Sequence, residues 1–175
     1  MAGHSDNVLA LPQFDKPTKV LIVIAPYYKD ISTAQLASAR AKIEATGATH
    51  ETIEVPGSLE IPTAIGIANR LGEYDGFVAL GCVIRGRTSH YDVVVNQSAN
   101  AISMLGLQGL CIGNGIITVE NKEQAEERAD ADRLDTAGAA AEAAVHLIAL
   151  ARSMKKVGKG VGFSGEILAK GGDTV

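Results

Sequence analysis

Four strand-like runs that alternate with longer helical patterns constrain the fold of this chain most strongly. The first run, K-V-L-I-V-I-A at residues 19–25, is continuous and rich in β-branched side chains, which is typical of a strand buried on both faces. Further strands are predicted at residues 50–55, 77–84 and 110–119, and the glycines and asparagine at 113–115 are expected to interrupt the last one. Helices are predicted at residues 30–46, 61–71, 89–105, 122–129 and 136–156.

This alternation predicts an α/β fold in which a four-stranded parallel sheet lies between two layers of helices, as a three-layer sandwich. In such a sheet, ligands bind beyond the carboxyl ends of the strands. Four segments lie at those ends, at residues 26–30, 56–60, 85–90 and 114–120. We therefore expect the chemistry of this protein in those segments.

The length of 175 residues suits one domain with a substantial core. We expect residues 1–18 to form an N-terminal arm and residues 19–156 to form the α/β domain. Residues 157–175 are rich in glycine and have no clear period, which predicts a mobile C-terminal tail.

Charge and cysteine content limit the classes of partner. A formal net charge of −4 gives no attraction to nucleic acid or to an anionic membrane. The N-terminus lacks the pattern of a secretory signal, and no apolar run approaches the length of a membrane span. Cys82 and Cys111 lie in apolar runs, which favours two buried, reduced thiols over a disulfide or a metal site. These observations predict a cytoplasmic protein without a metal site.

One motif, G-C-V-I-R-G-R-T-S-H-Y-D at residues 81–92, suggests a phosphate. Its first eight residues resemble the phosphate-binding loop G-x-x-x-x-G-K-[ST], with Arg87 in the lysine position. That loop needs pliable residues between its glycines, whereas Cys82, Val83 and Ile84 are largely apolar and β-branched and favour a strand. We therefore interpret residues 81–84 as strand, and a nucleotide hydrolase is only a remote alternative.

The second half of the motif predicts a helix start that favours an anion. Ser89 and Asp92 have the spacing of a capping box, and Thr88 is an alternative cap. The free N–H groups and the dipole of such a helix favour a phosphate, and Arg85 and Arg87 are expected to add positive charge. A histidine in the first turn, His90, is then placed to carry protons near pH 7. The alternative is a well-capped helix with solvated arginines and a surface histidine.

Three separated segments carry a more specific signal than this motif alone. They are V-P-G-S-L-E-I-P at residues 55–62, A-L-G-C-V-I-R-G-R-T-S-H-Y-D at 79–92 and G-N-G-I-I-T-V-E-N-K-E-Q-A-E-E-R at 113–128. In this order they resemble the 6,7-dimethyl-8-ribityllumazine synthase family, and the resemblance extends over residues 19–153.

The resemblance implies an enzyme of riboflavin biosynthesis with a flavodoxin-like fold. The family condenses 5-amino-6-ribitylaminouracil with 3,4-dihydroxy-2-butanone 4-phosphate, releases phosphate and water, and needs no metal or organic cofactor. Its partners are therefore small-molecule substrates and further copies of the same chain. Its members form homopentamers with active sites between neighbouring subunits, and some assemble into decamers or 60-subunit icosahedral shells.

The resemblance also assigns roles to individual positions. His90 matches the catalytic histidine, and Asn114 matches a position that reaches the site of a neighbouring subunit. The positions that match the pocket for the pyrimidine ring and the ribityl chain are Tyr27, which stacks on the ring, Ser58, Leu59, Glu60, Cys82, Val83 and Ile84. The positions that match the phosphate site are Gly86, Arg87, Thr88 and Arg128.

Two positions depart from the family pattern. Many relatives carry a lysine followed by glycine shortly before the last helix, near the phosphate, whereas this chain has D-T-A-G at residues 135–138, with Thr136 instead of a lysine. The residue between Gly86 and Thr88 is usually small or acidic, and here it is Arg87. We hypothesise that Arg87 partly replaces the missing cation. The departures leave open a weakly active or non-catalytic relative that binds a flavin or lumazine or forms shells.

Overall fold

The computed structural model describes residues 9–158 of the chain, and these residues alternate between strands and helices as the sequence predicts. The strands are β1 (Lys19–Ile24), β2 (Thr49–Glu54), β3 (Gly76–Ile84) and β4 (Ile112–Val119). The helices are α1 (Lys29–Glu44), α2 (Glu60–Leu71), α3 (His90–Leu107), α4 (Lys122–Ala129) and α5 (Thr136–Gly158).

The four strands form one parallel sheet in the order β2-β1-β3-β4. Ile24 at the end of β1 lies beside Glu54 of β2 and Leu80 of β3, and Ile84 at the end of β3 lies beside Val119 of β4. The chain adds β2 on one side of β1 and β3 on the other, so the connections diverge between β1 and β3. In a flavodoxin-like sheet, this point of divergence opens a crevice at the carboxyl ends of the strands.

The two central strands, β1 and β3, carry the core on both faces of the sheet. Alternate side chains of a strand point to opposite faces. On one face they pack against α1 and α5, in a cluster that includes Val20, Ile22, Ile24, Val78 and Leu80. On the other face they pack against α2 and α3, in a cluster that includes Leu21, Val23, Phe77 and Ala79. Each fully buried side chain of this size contributes about 1.5–3 kcal/mol, so these layers explain why the apolar runs fold as a sheet.

The glycines of β4 do not interrupt the strand, and that prediction was wrong. The ladder with β3 runs without a break from Ile112 to Val119. Glycine occurs here because α5 lies directly on the strand: a Cβ atom on Gly113 would be 1.8 Å from the carbonyl oxygen of Ala140. Close backbone approach, which a glycine in a strand often marks, explains the residue.

The ends of the predicted domain differ slightly from the structure. Half-buried Phe14 of the predicted arm packs against the α1–α5 side of the core, and its N–H donates to the carbonyl of Thr46 at 2.9 Å. Helix α5 continues to Gly158, beyond the predicted boundary at 156. The remaining residues of the predicted tail, 159–175, and residues 1–8 of the arm lie outside the described residues.

Two further sequence predictions concern burial. Cys82 and Cys111 are both free; Cys82 is buried as predicted, whereas Cys111 is only half-buried. No helix within residues 9–158 is long and apolar enough to span a membrane.

Candidate active site

A cavity of about 310 Å³ lies at the carboxyl ends of β1 and β3, where the crevice was predicted. Its walls come from the β1–α1 connection, the β2–α2 connection, the end of β3 and the first turns of α3. The residues predicted for the site that line it are Tyr27, Ser58, Cys82, Val83, Ile84, Gly86, Thr88 and His90. The structure thus brings these eight residues together around one cavity.

The β2–α2 connection folds closely over the sheet because glycines leave room for it. Ser58 is buried, and a Cβ atom on Gly81 would lie only 2.9 Å from its Oγ. A Cβ atom on Gly57 would lie 2.9 Å from Oε2 of Glu60, so the carboxylate of this exposed residue folds back over a wall residue. Leu59 is half-buried at the N-cap of α2. Leu59 and Glu60 thus border the cavity of the single chain without lining it.

An exposed aromatic ring forms one side of the cavity. Tyr27 is 75% exposed, and its ring centroid lies 5.0 Å from that of Tyr28 in an edge-to-face arrangement with an interplanar angle of 70°. A ring with a free face beside a cavity can stack on a planar heterocycle. Tyr28 packs against the apolar cluster of β4 and α4, and burial raises the pKa of its phenol.

The thiol of Cys82 forms part of an apolar wall. Burial raises the pKa of this thiol to about 11, so the group is protonated and uncharged near pH 7. A protonated thiol is a weak nucleophile. Cys82 therefore offers shape and an apolar contact to a ligand.

The helix start after β3 differs from the predicted capping box. Ser89 makes no side-chain hydrogen bond as the N-cap of α3, and Asp92 pairs with Arg85 instead of turning back to the helix N-terminus. The hydroxyl of Thr88, the alternative cap, lies 3.4 Å from the backbone N of His90. The capping-box prediction was wrong because an ion pair competes for the carboxylate of Asp92. The helix N-terminus itself, where N–H groups favour an anion, is where it was predicted.

The two arginines of the motif have different surroundings. The guanidinium of Arg85 pairs with Glu120 at 2.9 Å and with Asp92 at 3.2 Å, and the hydrogen bond with Glu120 is the largest of the causes that raise its pKa. Two carboxylates thus compensate the charge of Arg85, which argues against the expectation that it adds charge for a phosphate. Arg87 is exposed, and it forms no ion pair within residues 9–158.

The segment that replaces the lysine of many relatives caps the last helix. Asp135 has a positive φ of 41°, and its Oδ1 accepts hydrogen bonds from the N–H of Gly138 at 3.0 Å and from the hydroxyl of Ser38. This carboxylate satisfies an otherwise unpaired N–H at the start of α5. The D-T-A-G segment thus has a structural role in this chain.

The sequence model of the family described as 6,7-dimethyl-8-ribityllumazine synthase matches residues 17–152. The match spans all four strands and every segment that forms the cavity. The chain belongs to the 6,7-dimethyl-8-ribityllumazine synthase family. The resemblance found in the sequence is confirmed, and the nucleotide-hydrolase alternative is excluded by the family and by the strand at residues 81–84.

Curated lumazine synthases align over most of the chain. The 6,7-dimethyl-8-ribityllumazine synthase of Jannaschia sp. (strain CCS1) is 74% identical over 153 residues, which cover 87% of this chain and 86% of that protein. The protein of the same name from Sphingopyxis alaskensis is 52% identical over 131 residues, covering 75% and 93% of the two chains. The 6,7-dimethyl-8-ribityllumazine synthase 1 of Rhizobium meliloti is 49% identical over 141 residues, covering 77% and 92%.

Besides Leu59 and Glu60, three other residues that lumazine synthase motifs assign to the site do not line this cavity. Asn114 is exposed on the amino-terminal half of β4, where it pairs with Ala79, and its Oδ1 accepts from the N–H of Ile116 at 3.1 Å. Arg128 is half-buried on α4. Arg87, in the turn before α3, is outside the lining as well.

Sequence reasoning also missed several wall residues. They are Ala25, Tyr28, Pro56, Gly57, Tyr91 and Val94. Pro56, Gly57 and Tyr91 lie inside the motifs that identified the lumazine synthase family, and Ala25 and Tyr28 lie at the predicted end of β1. Proximity to known motif positions was therefore the available signal. Val94 follows Tyr91 at a spacing of three residues on α3, which places both on one helix face.

Proposed function

We propose that this chain carries out the lumazine synthase reaction in the cavity between β1 and β3. The reaction condenses 5-amino-6-ribitylaminouracil with 3,4-dihydroxy-2-butanone 4-phosphate and releases phosphate and water. The observation that carries the proposal is the convergence of three functions on one cavity. A stacking ring (Tyr27), two residues of the turn at a helix N-terminus (Gly86 and Thr88) and a histidine (His90) all line it.

The cavity offers complementary walls for the two substrates. The pyrimidine ring stacks on Tyr27 and meets the end of β3, where the wall is apolar and the thiol of Cys82 is protonated. The ribityl hydroxyls lie along Ser58, Leu59 and Glu60, whose hydroxyl and carboxylate are suited to hydrogen bonds with a polyol. The phosphate lies at the turn before α3, where N–H groups and the helix dipole favour an anion.

His90 is the proposed proton carrier. The amine of the pyrimidine condenses with the ketone to an imine and releases one water, phosphate then leaves by elimination, and the ring closes with loss of a second water. Each step moves protons, and a histidine within reach of the substrates transfers them near pH 7. The turn, Arg87 and Arg128 stabilise the leaving phosphate. Holding the two reactants together supplies much of the remaining acceleration.

The site thus needs no cofactor, and we place the reaction in the cytoplasm, where Cys82 and Cys111 stay reduced.

A product assay tests this proposal directly. The purified full-length chain is mixed with both substrates, and the absorbance of the lumazine and the release of inorganic phosphate are followed together. We expect one phosphate for each lumazine formed. Binding of the product without its formation would instead support the non-catalytic alternative and overturn the proposal.

Replacing Arg87 with glutamine should raise the KM for the butanone phosphate about 3- to 10-fold, because an exposed guanidinium contributes modestly to a phosphate site. The KM for the pyrimidine should stay unchanged, since the substitution removes charge only beside the phosphate. Steady-state kinetics with each substrate varied in turn measure both values. The same change at Arg70, an exposed arginine of α2, is the control. Equal KM values for wild type and Arg87→Gln would contradict the idea that Arg87 compensates for the missing lysine.

We also propose that the chain forms a homopentamer in which a neighbouring subunit completes each cavity. Asn114 and Arg128 lie outside the cavity of their own chain, as residues do that serve another copy. Helices α2 and α3, which pack against each other, also expose large apolar side chains: Ile67, Leu71, Val93, Met104 and Leu107. Apolar patches of this kind mark interaction surfaces. The family resemblance gives the number of subunits and allows a decamer or a 60-subunit shell.

Replacing Leu107 with aspartate should dissociate this assembly, because an interface does not accommodate an unpaired charge. Leu107 is 89% exposed in the single chain, so the monomer should fold normally. Sedimentation of the wild type should give five times the chain mass of 18.2 kDa or a multiple of that value. The control is Leu134→Asp, at a leucine that is 41% exposed in the connection between α4 and α5, which should keep the pentamer. A wild-type monomer, or a pentamer that survives Leu107→Asp, would contradict the proposed interface.

A further inference from the structure

Arg85 connects three elements that meet at the cavity. It follows β3, whereas Asp92 lies in the first turn of α3 and Glu120 follows β4. Its Nε lies 2.9 Å from Oε2 of Glu120, and its Nη1 lies 3.2 Å from Oδ1 of Asp92. Its guanidinium carbon lies 4.0 Å from the centre of the Tyr91 ring. A planar guanidinium makes two directed hydrogen bonds and stacks on a ring at the same time, which an ammonium group does not.

These contacts hold the helix turn that carries His90. Tyr91, whose ring faces the guanidinium, follows His90 directly and lines the cavity, and Asp92 is the next residue. Within residues 9–158, the only side-chain hydrogen bond to the backbone of His90 joins its N–H to the hydroxyl oxygen of Thr88, at 3.4 Å. These contacts therefore connect Arg85 to the residues on the C-terminal side of His90 in the first turn of α3.

The same contacts reach the helix that carries Arg128. The N–H of Glu120 donates to Oε1 of Gln124 at 3.0 Å, and the N–H of Gln124 donates to the side chain of Asn121, the N-cap of α4. Arg85 thus ties the start of α3 to the junction of β4 and α4.

The charge of this cluster argues against direct phosphate binding by Arg85. One guanidinium faces two carboxylates, so the three groups together carry a formal charge of −1. Arg85 itself does not line the cavity. A phosphate placed against Arg85 would meet Asp92 and Glu120 at close range, which is unfavourable.

We propose that Arg85 is a positioning residue, which sets His90 and Tyr91 for the chemical step and does not bind the phosphate. The inference rests on the proposed function of the cavity. It extends that function because no family motif assigned a role to Arg85.

The test compares Arg85→Lys and Arg85→Gln by steady-state kinetics of the full-length protein with both substrates. Lysine keeps the positive charge, but its ammonium group is not planar and does not reproduce the two directed hydrogen bonds of the guanidinium. A positioning role predicts that kcat falls about 10- to 100-fold in both variants, as it does when catalytic groups are displaced, with each KM within about twofold of the wild type. Normal kinetics for Arg85→Lys, or a raised KM for the butanone phosphate with kcat retained, would show phosphate binding by charge and overturn the inference.

Arg152→Lys is a matched control, because Arg152 also pairs with a carboxylate, that of Asp75 at 3.0 Å, and lies over an aromatic ring, that of Phe14 at 5.1 Å. It lies at the opposite end of the sheet, where Asp75 precedes β3. We expect wild-type kcat and KM for this variant. An equal loss of kcat in both lysine variants would assign the effect to general loosening and overturn the inference.

A double variant tests whether Arg85 acts through its contact with Glu120 or whether the two residues affect kcat independently. If Arg85 and Glu120 act through one contact, Arg85→Lys combined with Glu120→Gln should lose less than the product of the two single losses. Multiplicative losses would contradict a shared contact.

The wild-type assay distinguishes the two proposals, since a chain that forms no lumazine refutes the proposed function, whereas normal Arg85→Lys kinetics in an active enzyme refute only the positioning role.

Discussion

Replacing His90 with asparagine should lower the kcat of lumazine formation about 10²- to 10⁴-fold and leave the KM of each substrate nearly unchanged. His90 lies in the first turn of α3 and lines the cavity beside the proposed phosphate turn. Asparagine keeps a polar side chain of similar reach but does not exchange protons near pH 7. The loss should therefore fall on the chemical steps, each of which transfers a proton, and not on substrate binding.

The prediction has a matched control in His50→Asn. His50 also bears an imidazole, but it lies in β2, pairs with Glu44 at 2.9 Å and does not line the cavity. Its substitution should leave kcat within the experimental error of the wild type. Binding of the lumazine product, followed by fluorescence, should persist in His90→Asn, which shows that the pocket is intact. A His90→Asn protein with more than about one fifth of wild-type kcat would contradict general acid–base catalysis by His90.

The central strands of the sheet were predictable because nearly all of their residues are buried and must therefore be apolar. Strands β1 and β3 are buried on both faces, so their apolar runs are continuous and stand out in the sequence. The edge strand β2 is largely exposed, and its polar sequence gave a weaker signal. The interruption predicted in β4 was wrong because glycine weakens a strand in general, whereas here it accommodates the backbone of α5 at Ala140.

The site was predictable where it depends on strand ends and motif spacing. Ser58 and the end of β3 are brought together by the parallel sheet, as expected from the topology. The partners of Arg85 were not predictable, because Glu120 lies 35 residues further along the chain and meets Arg85 only through the register of β3 and β4. The roles of Asn114 and Arg128 remain proposals, because neither residue lines the cavity of its own chain.

Replacing Gly113 with alanine should strongly destabilise the protein. The new Cβ atom would lie 1.8 Å from the carbonyl oxygen and 2.6 Å from the carbonyl carbon of Ala140. These are backbone atoms, so no side-chain rotation relieves the clash, and α5 must move away from β4. That movement opens the apolar layer in which Ala137, Ala141 and Ala144 are buried. Overpacking costs typically 1–3 kcal/mol and more where the backbone is displaced, so we expect a loss of at least about 3 kcal/mol and a fall in Tm of about 6–12 °C.

Alanine substitutions at two further glycines should destabilise the protein less, because their new Cβ atoms lie farther from other atoms. In Gly115→Ala the nearest atom is Cδ2 of Leu80 at 2.8 Å, a side-chain atom that is able to shift, so the loss should be smaller. In Gly66→Ala the nearest contact is an ordinary 3.9 Å, and alanine favours the helix, so stability should be unchanged or slightly higher. Thermal and urea unfolding should give the order Gly113, Gly115, Gly66 from most to least destabilised. Similar losses at Gly113 and Gly66 would show that the contact between β4 and α5 does not limit the residue at position 113.

Because β4 leads directly to Glu120, the displaced strand in Gly113→Ala should also weaken the contact with Arg85, and any protein that remains folded should lose kcat as well as stability.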